Sequence, residues 1–263
     1  MPRLAANLST LFKEVEFLAR FAAAARAGFR AVEYQYPYEH AARDIAAAAR
    51  EAGVQVVLHN TPRGDAARGE HGTACLPGRE QRFREDLELA IEYARAAGCA
   101  FLHCTAGVPP EGVERAAAHA TYVANLKHAA RRLRAEGMRL LIEPLSAGTV
   151  ANYFLGGSAQ AVRVLDEVGA DNAFLQYDLF HMQMLEGNLA LTIERLLPRI
   201  GHMQLADAPQ RHEPGTGEIN FQFLLPHIDG LGYAGWIGCE YNPRGDTVEG
   251  LKWAQPYLKD KGR

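Results

Sequence analysis

Residues 115–143 read RAAAHATYVANLKHAARRLRAEGMRLLIE, and this stretch sets the pattern of the whole chain. Arg115–Glu136 has helical periodicity, Gly137 follows it, and Met138–Glu143 is a short apolar run that ends on an acid. A glycine just past a helix can take the left-handed conformation that ends it. The apolar run behind it reads as a strand. The same helix–glycine–strand junction recurs at Gly28, Gly53, Gly98 and Gly169. Five uses of one junction indicate repeated βα units in one continuous architecture.

Working outward, the candidate strands are Arg3–Asn7, Ala31–Tyr34, Val54–His59, Ala100–Cys104, Met138–Glu143, Ala173–Asp178, Gly201–Leu205 and Trp236–Glu240. Helical segments alternate with them at Phe12–Ala27, His40–Ala52, Gln81–Ala97, Arg115–Glu136, Ser158–Val168, Leu189–Leu197, Phe221–Leu231 and Thr247–Leu258. Strict alternation fits an α/β fold, a (β/α)8 TIM barrel, with a doubly wound open sheet as the alternative. An open sheet usually carries a glycine-rich phosphate loop after its first strand, and here that turn reads Asn7-Leu8-Ser9-Thr10-Leu11. The length of 263 residues matches one barrel, and no linker divides the chain, so residues 1–263 are expected to form a single domain.

Composition excludes whole classes of function. With 28 Lys+Arg against 31 Asp+Glu the formal net charge is −3, which disfavours a nucleic-acid partner. No apolar run approaches a membrane span and the start resembles no signal peptide, so a cytoplasmic protein is expected. Cys75, Cys99, Cys104 and Cys239 form no CxxC pair and read as buried, reduced thiols. Assembly with further copies of the chain is left open.

A barrel places its active site at the C-terminal ends of the strands. Strands five, six and eight end at Glu143, Asp178 and Glu240, and Gln204 lies near the end of strand seven. Side chains alternate faces along a strand, so these four can point toward the axis while Leu140, Ile142, Tyr177, Met203 and Cys239 face the helices. Three carboxylates and an amide oxygen are hard donors, suited to one divalent metal ion, Mg2+ or Mn2+. The alternative is that each acid caps a helix or pairs with a base. His202 shares the parity of Gln204 one layer deeper, where a packed histidine competes with a ligand. His181, three residues past Asp178, could donate to a substrate oxygen or cap a helix. Two long loops, Asn60–Glu80 and Ala206–Asn220, have the character of lids. They carry Arg79 and Arg211, which could grip a substrate carboxylate or stay solvated. His59, at the end of strand three, completes the candidate substrate contacts.

These residues sit in long, unusual strings: AANLS, VEYQYPY, GDAARGEHGTACLPGR, LIEPL, QYDLFHMQMLEGN, GHMQLADAPQRHEPGTGEINF and GYAGWIGCEYNPRGDTVEGLKW. Nearly end to end, the chain resembles the hydroxypyruvate isomerases of the xylose-isomerase-like barrel superfamily. The resemblance implies that Glu143, Asp178, Gln204 and Glu240 bind one divalent metal and that Glu143 and Glu240 transfer the proton. It also implies that His181 and Arg211 stand beside a small anionic hydroxy-oxo acid. Ketose epimerases of the superfamily have histidine where this chain has Gln204, and its endonucleases use many histidine ligands that this chain lacks. The expected reaction converts hydroxypyruvate to 2-hydroxy-3-oxopropanoate through an enediolate. An isomerase of four-carbon 2-oxo acids and a non-catalytic sugar-acid-binding barrel are the alternatives.

Overall fold

The computed structural model describes residues 1–258. Eight parallel strands close into a barrel in chain order. They are β1 (Arg3–Asn7), β2 (Ala31–Glu33), β3 (Gln55–Asn60), β4 (Phe101–His103), β5 (Arg139–Ile142), β6 (Ala173–Asp178), β7 (Ile200–Leu205) and β8 (Trp236–Cys239), with β8 pairing back onto β1. The helices outside are α1 (Phe17–Arg26), α2 (Ala42–Ala52), α3 (Glu80–Ala97), α4 (Arg115–Ala135), α5 (Ser158–Val168), α6 (Leu179–Leu185), α7 (Leu189–Leu196), α8 (Phe221–Gly230), α9 (Thr247–Gly250) and α10 (Gln255–Leu258). None of the described helices is long and apolar enough to cross a membrane.

Strand parity sorts the core into two layers. Leu140, Ile142, Tyr177, Met203 and Cys239 pack outward into the large cluster between strands and helices, as the alternation predicts. Ala5, Ala31, Val57, Leu58 and Leu141 fill the barrel itself, and Phe101, Phe174 and Trp236 border them near the strand starts. Arg3 lies 3.9 Å over the Trp236 ring, and Arg139 lies over Phe101 and Phe174. Apolar filling below leaves the C-terminal mouth for polar groups.

The departures from expectation are local. Glu143 and Glu240 stand one residue beyond β5 and β8, and Pro144 has no N–H with which to extend the β5 ladder. The first helix begins at Phe17, with Glu16 before it extended at ψ 150° and Phe12 left-handed at φ 58°. The short α6 was not anticipated: Asp178 ends β6 and at once caps this helix, its Oδ1 accepting from Phe180 N at 2.8 Å. The last segment divides into α9, a 3-10 turn at Leu251–Ala254 and α10. The four cysteines are free and buried, and burial pushes the Cys75 and Cys99 thiols up to about 12.

Candidate active site at the mouth of the barrel

Register brings the predicted acids together. Asp178 pairs with Gln204 across β6 and β7, and Gln204 pairs with Gly238 two residues before Glu240. Glu143, Gln204, Arg211, His181 and Glu240 line one cavity of about 290 Å³, together with Asn7, Gln35, Asn60, His103 and Gln176. Carboxylate oxygens of Glu143 and Asp178 and a ring nitrogen of His181 lie within 4.8 Å of one another.

Buried acids so close must share few charges. Burial raises the Glu143 carboxyl well above the ordinary range, and the charges of Glu240 and Asp178 add to it. Burial lifts Glu240 to about 7 against the opposing pull of Arg211, and burial also raises Asp178. Arg211 supplies the local positive charge, its Nη2 lying 3.3 Å from Asp178 Oδ2 and 3.4 Å from Glu240 Oε1. Gln35 Nε2 donates to the same Glu240 oxygen.

Asp207 shapes the loop that delivers Arg211. This buried carboxylate accepts from the backbone N–H of Ala208, Gly215, Thr216, Gly217 and Ile219. Arg211 is pinned on both sides, its N–H donating to Asp207 O at 2.9 Å and its carbonyl accepting from Asn242 at 2.8 Å. The loop is therefore a braced element and not a loose flap.

Hydrogen bonding assigns His181. Its Nδ1 accepts from the Ser146 backbone N–H at 3.2 Å, so Nε2 carries the proton, 3.6 Å from Asp178 Oδ2. Burial holds the ring neutral by pushing its pKa well down. A protonated Nε2 is a donor, which suits contact with an oxygen better than ligation of a metal.

Gln204 is oriented from beneath. Its Nε2 donates to Glu33 Oε1 at 2.7 Å and its Oε1 accepts from Gln176 Nε2 at 2.5 Å. Glu33 also accepts from Asn7 at 2.9 Å and meets His202 Nε2 at 2.6 Å. His202 is thus the packed histidine of the two alternatives. The space for Glu33 exists because residue 238 is glycine: a Cβ there would stand 2.2 Å from the carboxylate.

Two predicted substrate contacts lie elsewhere. His59 points away from the cavity, with its ring stacked against Tyr34, its Nδ1 3.2 Å from Asn60 O, and its pKa lowered by burial to about 4. Neighbouring Asn60, of opposite parity, lines the cavity instead. Arg79 donates to Glu70 at 3.0 Å and braces its own loop. From that loop it is Arg63 and His71 that line the cavity. Glu33, Gln35, Asn7, His103, Gln176, Arg63 and His71 were all missed, although the first two share the parity of VEYQ and could have been found by the strand-end argument.

The mouth offers a set of hard donors for a cation. Glu143 Oε1 is buried without a hydrogen-bond partner, Glu240 and Gln204 line the same cavity, and a carboxylate oxygen of Asp178 lies within 4.8 Å of one of Glu143. An unpartnered buried carboxylate oxygen among further carboxylates is chemistry that a divalent ion would satisfy.

Residues 21–257 match the sequence model of the xylose isomerase-like TIM barrel family. The chain is 46% identical to hydroxypyruvate isomerase of Escherichia coli K12, across 98% of this chain and all of that one. It belongs to the hydroxypyruvate isomerase family. Isomerisation is the activity class of this family's curated members. Another member, 2-oxo-tetronate isomerase of Cupriavidus necator, is 47% identical over 98% of this chain and 99% of its own. A solved structure from Brucella melitensis, named AP endonuclease, family 2, superposes with a TM-score of 0.95 at 44% identity, covering 98% of this chain and 99% of that one. A D-psicose 3-epimerase from Clostridium cellulolyticum H10, at 16% identity and TM-score 0.79 over 99% of this chain and 100% of its own, shares the fold alone.

Proposed function

We propose that this protein interconverts hydroxypyruvate and 2-hydroxy-3-oxopropanoate (tartronate semialdehyde) by proton transfer, with Glu143 and Glu240 as the acid–base pair. The observation that carries the reading is two buried carboxyl groups of raised proton affinity facing one small cavity. One carboxylate takes a proton from the hydroxymethyl carbon, leaving an enediolate; the hydroxyl proton on that carbon passes to the former carbonyl oxygen, and the other carboxyl group returns a proton to the adjacent carbon. In the metal-free protein burial lifts Glu240 to about 7, and a bound cation would bring that value down. Arg211 and the His181 N–H would donate to the oxygens that gain charge. Glu143, Asp178, Gln204 and Glu240 would hold one Mg2+ or Mn2+, and such an ion supplies Lewis-acid stabilisation of the oxyanion and keeps its carboxylates ionised.

The second reading is a four-carbon substrate, favoured by relatives of 44–47% identity named 2-oxo-tetronate isomerase. One hydroxymethyl group separates the substrates, and a pocket discriminates such a difference by only about 1–3 kcal/mol. A DNA-cleaving function fits poorly with the formal net charge of −3.

The test is a panel of hydroxypyruvate, 2-oxo-tetronate, a neutral ketose and abasic-site DNA, each with Mn2+ and with EDTA. Turnover of a hydroxy-oxo acid, abolished by EDTA and restored by Mn2+, is expected. Turnover that survives EDTA would remove the metal from the proposal, and preference for the ketose or the DNA would overturn the reading.

A further inference from the structure

The substrate proposed above carries a carboxylate, and the cavity floor is the wrong place for it. Glu143 and Glu240 line it, and Arg211 is already engaged with Glu240 and with Asp178 behind it. In the proposed reaction the carbonyl and hydroxyl ends of the substrate belong beside Glu143 and Glu240, so its carboxylate, at the other end, faces the mouth.

At the mouth the β3–α3 loop contributes Arg63 and His71 to the cavity wall. Arg63 Nη2 lies 2.9 Å from His71 Nδ1 and 3.2 Å from Nε2. An arginine has no lone pair to offer, so His71 accepts and is the neutral member of the pair. The same assignment follows from its lowered pKa, caused by partial burial and the Arg63 charge. Burial keeps the other cavity histidines neutral too, His103 at about 3 and His181 well below the usual range. Among the described residues no carboxylate forms an ion pair with Arg63. It is therefore the cavity's unneutralised permanent cation.

The loop holds that cation in place. Gly72 N–H donates to Arg63 O at 2.7 Å, tying Arg63 to the residue that follows His71. Glu70, 5% exposed, accepts from Asp65 N–H at 2.8 Å and from Arg79 at 3.0 Å. Cys75 N–H donates to Ala106 O at 2.8 Å, fastening the loop to the chain beyond β4. These bonds fix the backbone that carries Arg63, and the His71 contact is what orients its guanidinium.

We propose that Arg63, braced by His71, binds the substrate carboxylate at the cavity mouth and so selects hydroxy-oxo acids over neutral sugars of the same size. The inference rests on the isomerase reading of the site, and its test is chosen to be independent of turnover. D-Glycerate keeps the carboxylate and hydroxyl groups but has no carbonyl to isomerise, and glycerol is its uncharged counterpart. Calorimetric titration of the Mn2+-loaded protein should show glycerate binding and much weaker glycerol binding. Arg63→Gln should weaken glycerate binding about 10- to 100-fold, the scale of a lost charge-assisted hydrogen bond. Arg63→Lys should fall between the two, because it keeps the charge and loses the fork. Arg63 is exposed, so unchanged thermal melting is expected of both variants. With hydroxypyruvate, the same Arg63→Gln variant should raise KM by a similar factor while kcat moves less than about 5-fold. Equal glycerate affinity in wild type and Arg63→Gln, or no glycerate binding by wild type, would overturn the assignment. Glycerate binding lost with Arg63 in a protein that turns over no hydroxy-oxo acid would leave the anion site standing and sink the isomerase reading.

Discussion

Glu240 concentrates the chemistry at the scale of single residues. Its carboxyl is buried, hydrogen-bonded by Gln35, touched by Arg211, and lifted to about 7. Glu240→Gln keeps the shape and one acceptor oxygen but removes the charge and the acidic proton. If Glu240 is half of the acid–base pair, kcat on the accepted hydroxy-oxo acid should drop about 10²- to 10⁴-fold. The wild-type reaction run in D2O should place deuterium on the product carbon, which a direct hydride shift would not do. Near-normal kcat in the variant removes Glu240 from the mechanism. His59 teaches the opposite lesson: one step along β3 reverses the face, and a histidine at a strand end becomes a packing residue against Tyr34.

At the scale of elements, the two long loops are built around buried acids, Glu70 in one and Asp207 in the other. Their length and glycine content suggest lids, and their internal hydrogen bonds brace each of them around its acid. Gly72 is the tightest point of the first. Its φ is +112°, and an added Cβ would stand 2.3 Å from Thr105 O. Gly72→Ala combines a strained backbone with a backbone clash, and should cost about 1–3 kcal/mol of stability in urea unfolding. Because Gly72 N–H holds the Arg63 carbonyl, the same variant should weaken glycerate binding. An unchanged urea midpoint would mean the loop can shift at no cost, contrary to its bracing.

For the whole molecule, the buried acids couple stability to pH. Glu143, Asp178 and Glu240 are all raised above their unfolded values. A raised carboxyl contributes stability that is fully present below its unfolded pKa, about 4, and lost as pH rises through the folded one, about 7 for Glu240. Buried His59 and His103, lowered to about 4 and about 3, act in the opposite sense: their contribution is present above about 6.5 and lost as pH falls. The informative quantity is therefore the gain in Tm from added Mn2+, since a cation on these carboxylates must displace their protons. That gain should be several degrees at pH 8 and shrink toward zero at pH 5, read by thermal melts with and without EDTA. A gain independent of pH would place any bound Mn2+ away from these acids.

The order of strands and helices was legible in the sequence because βα units are local: each is set by its own periodicity and ended by its own glycine. Parity then pointed Glu143, Asp178, Gln204 and Glu240 inward, and the register of a closed barrel brought those strand ends to one mouth. What the sequence could not determine was how residues far apart in the chain meet. Glu33 beneath Gln204 is 171 positions away from it, and Gln35 beside Glu240 is 205. The loop contacts that turn Arg79 away from the cavity and bring Arg63 and His71 to it are likewise made through space. Local preference is written residue by residue along the chain, whereas a site is a set of distances, and only closing the barrel specifies them.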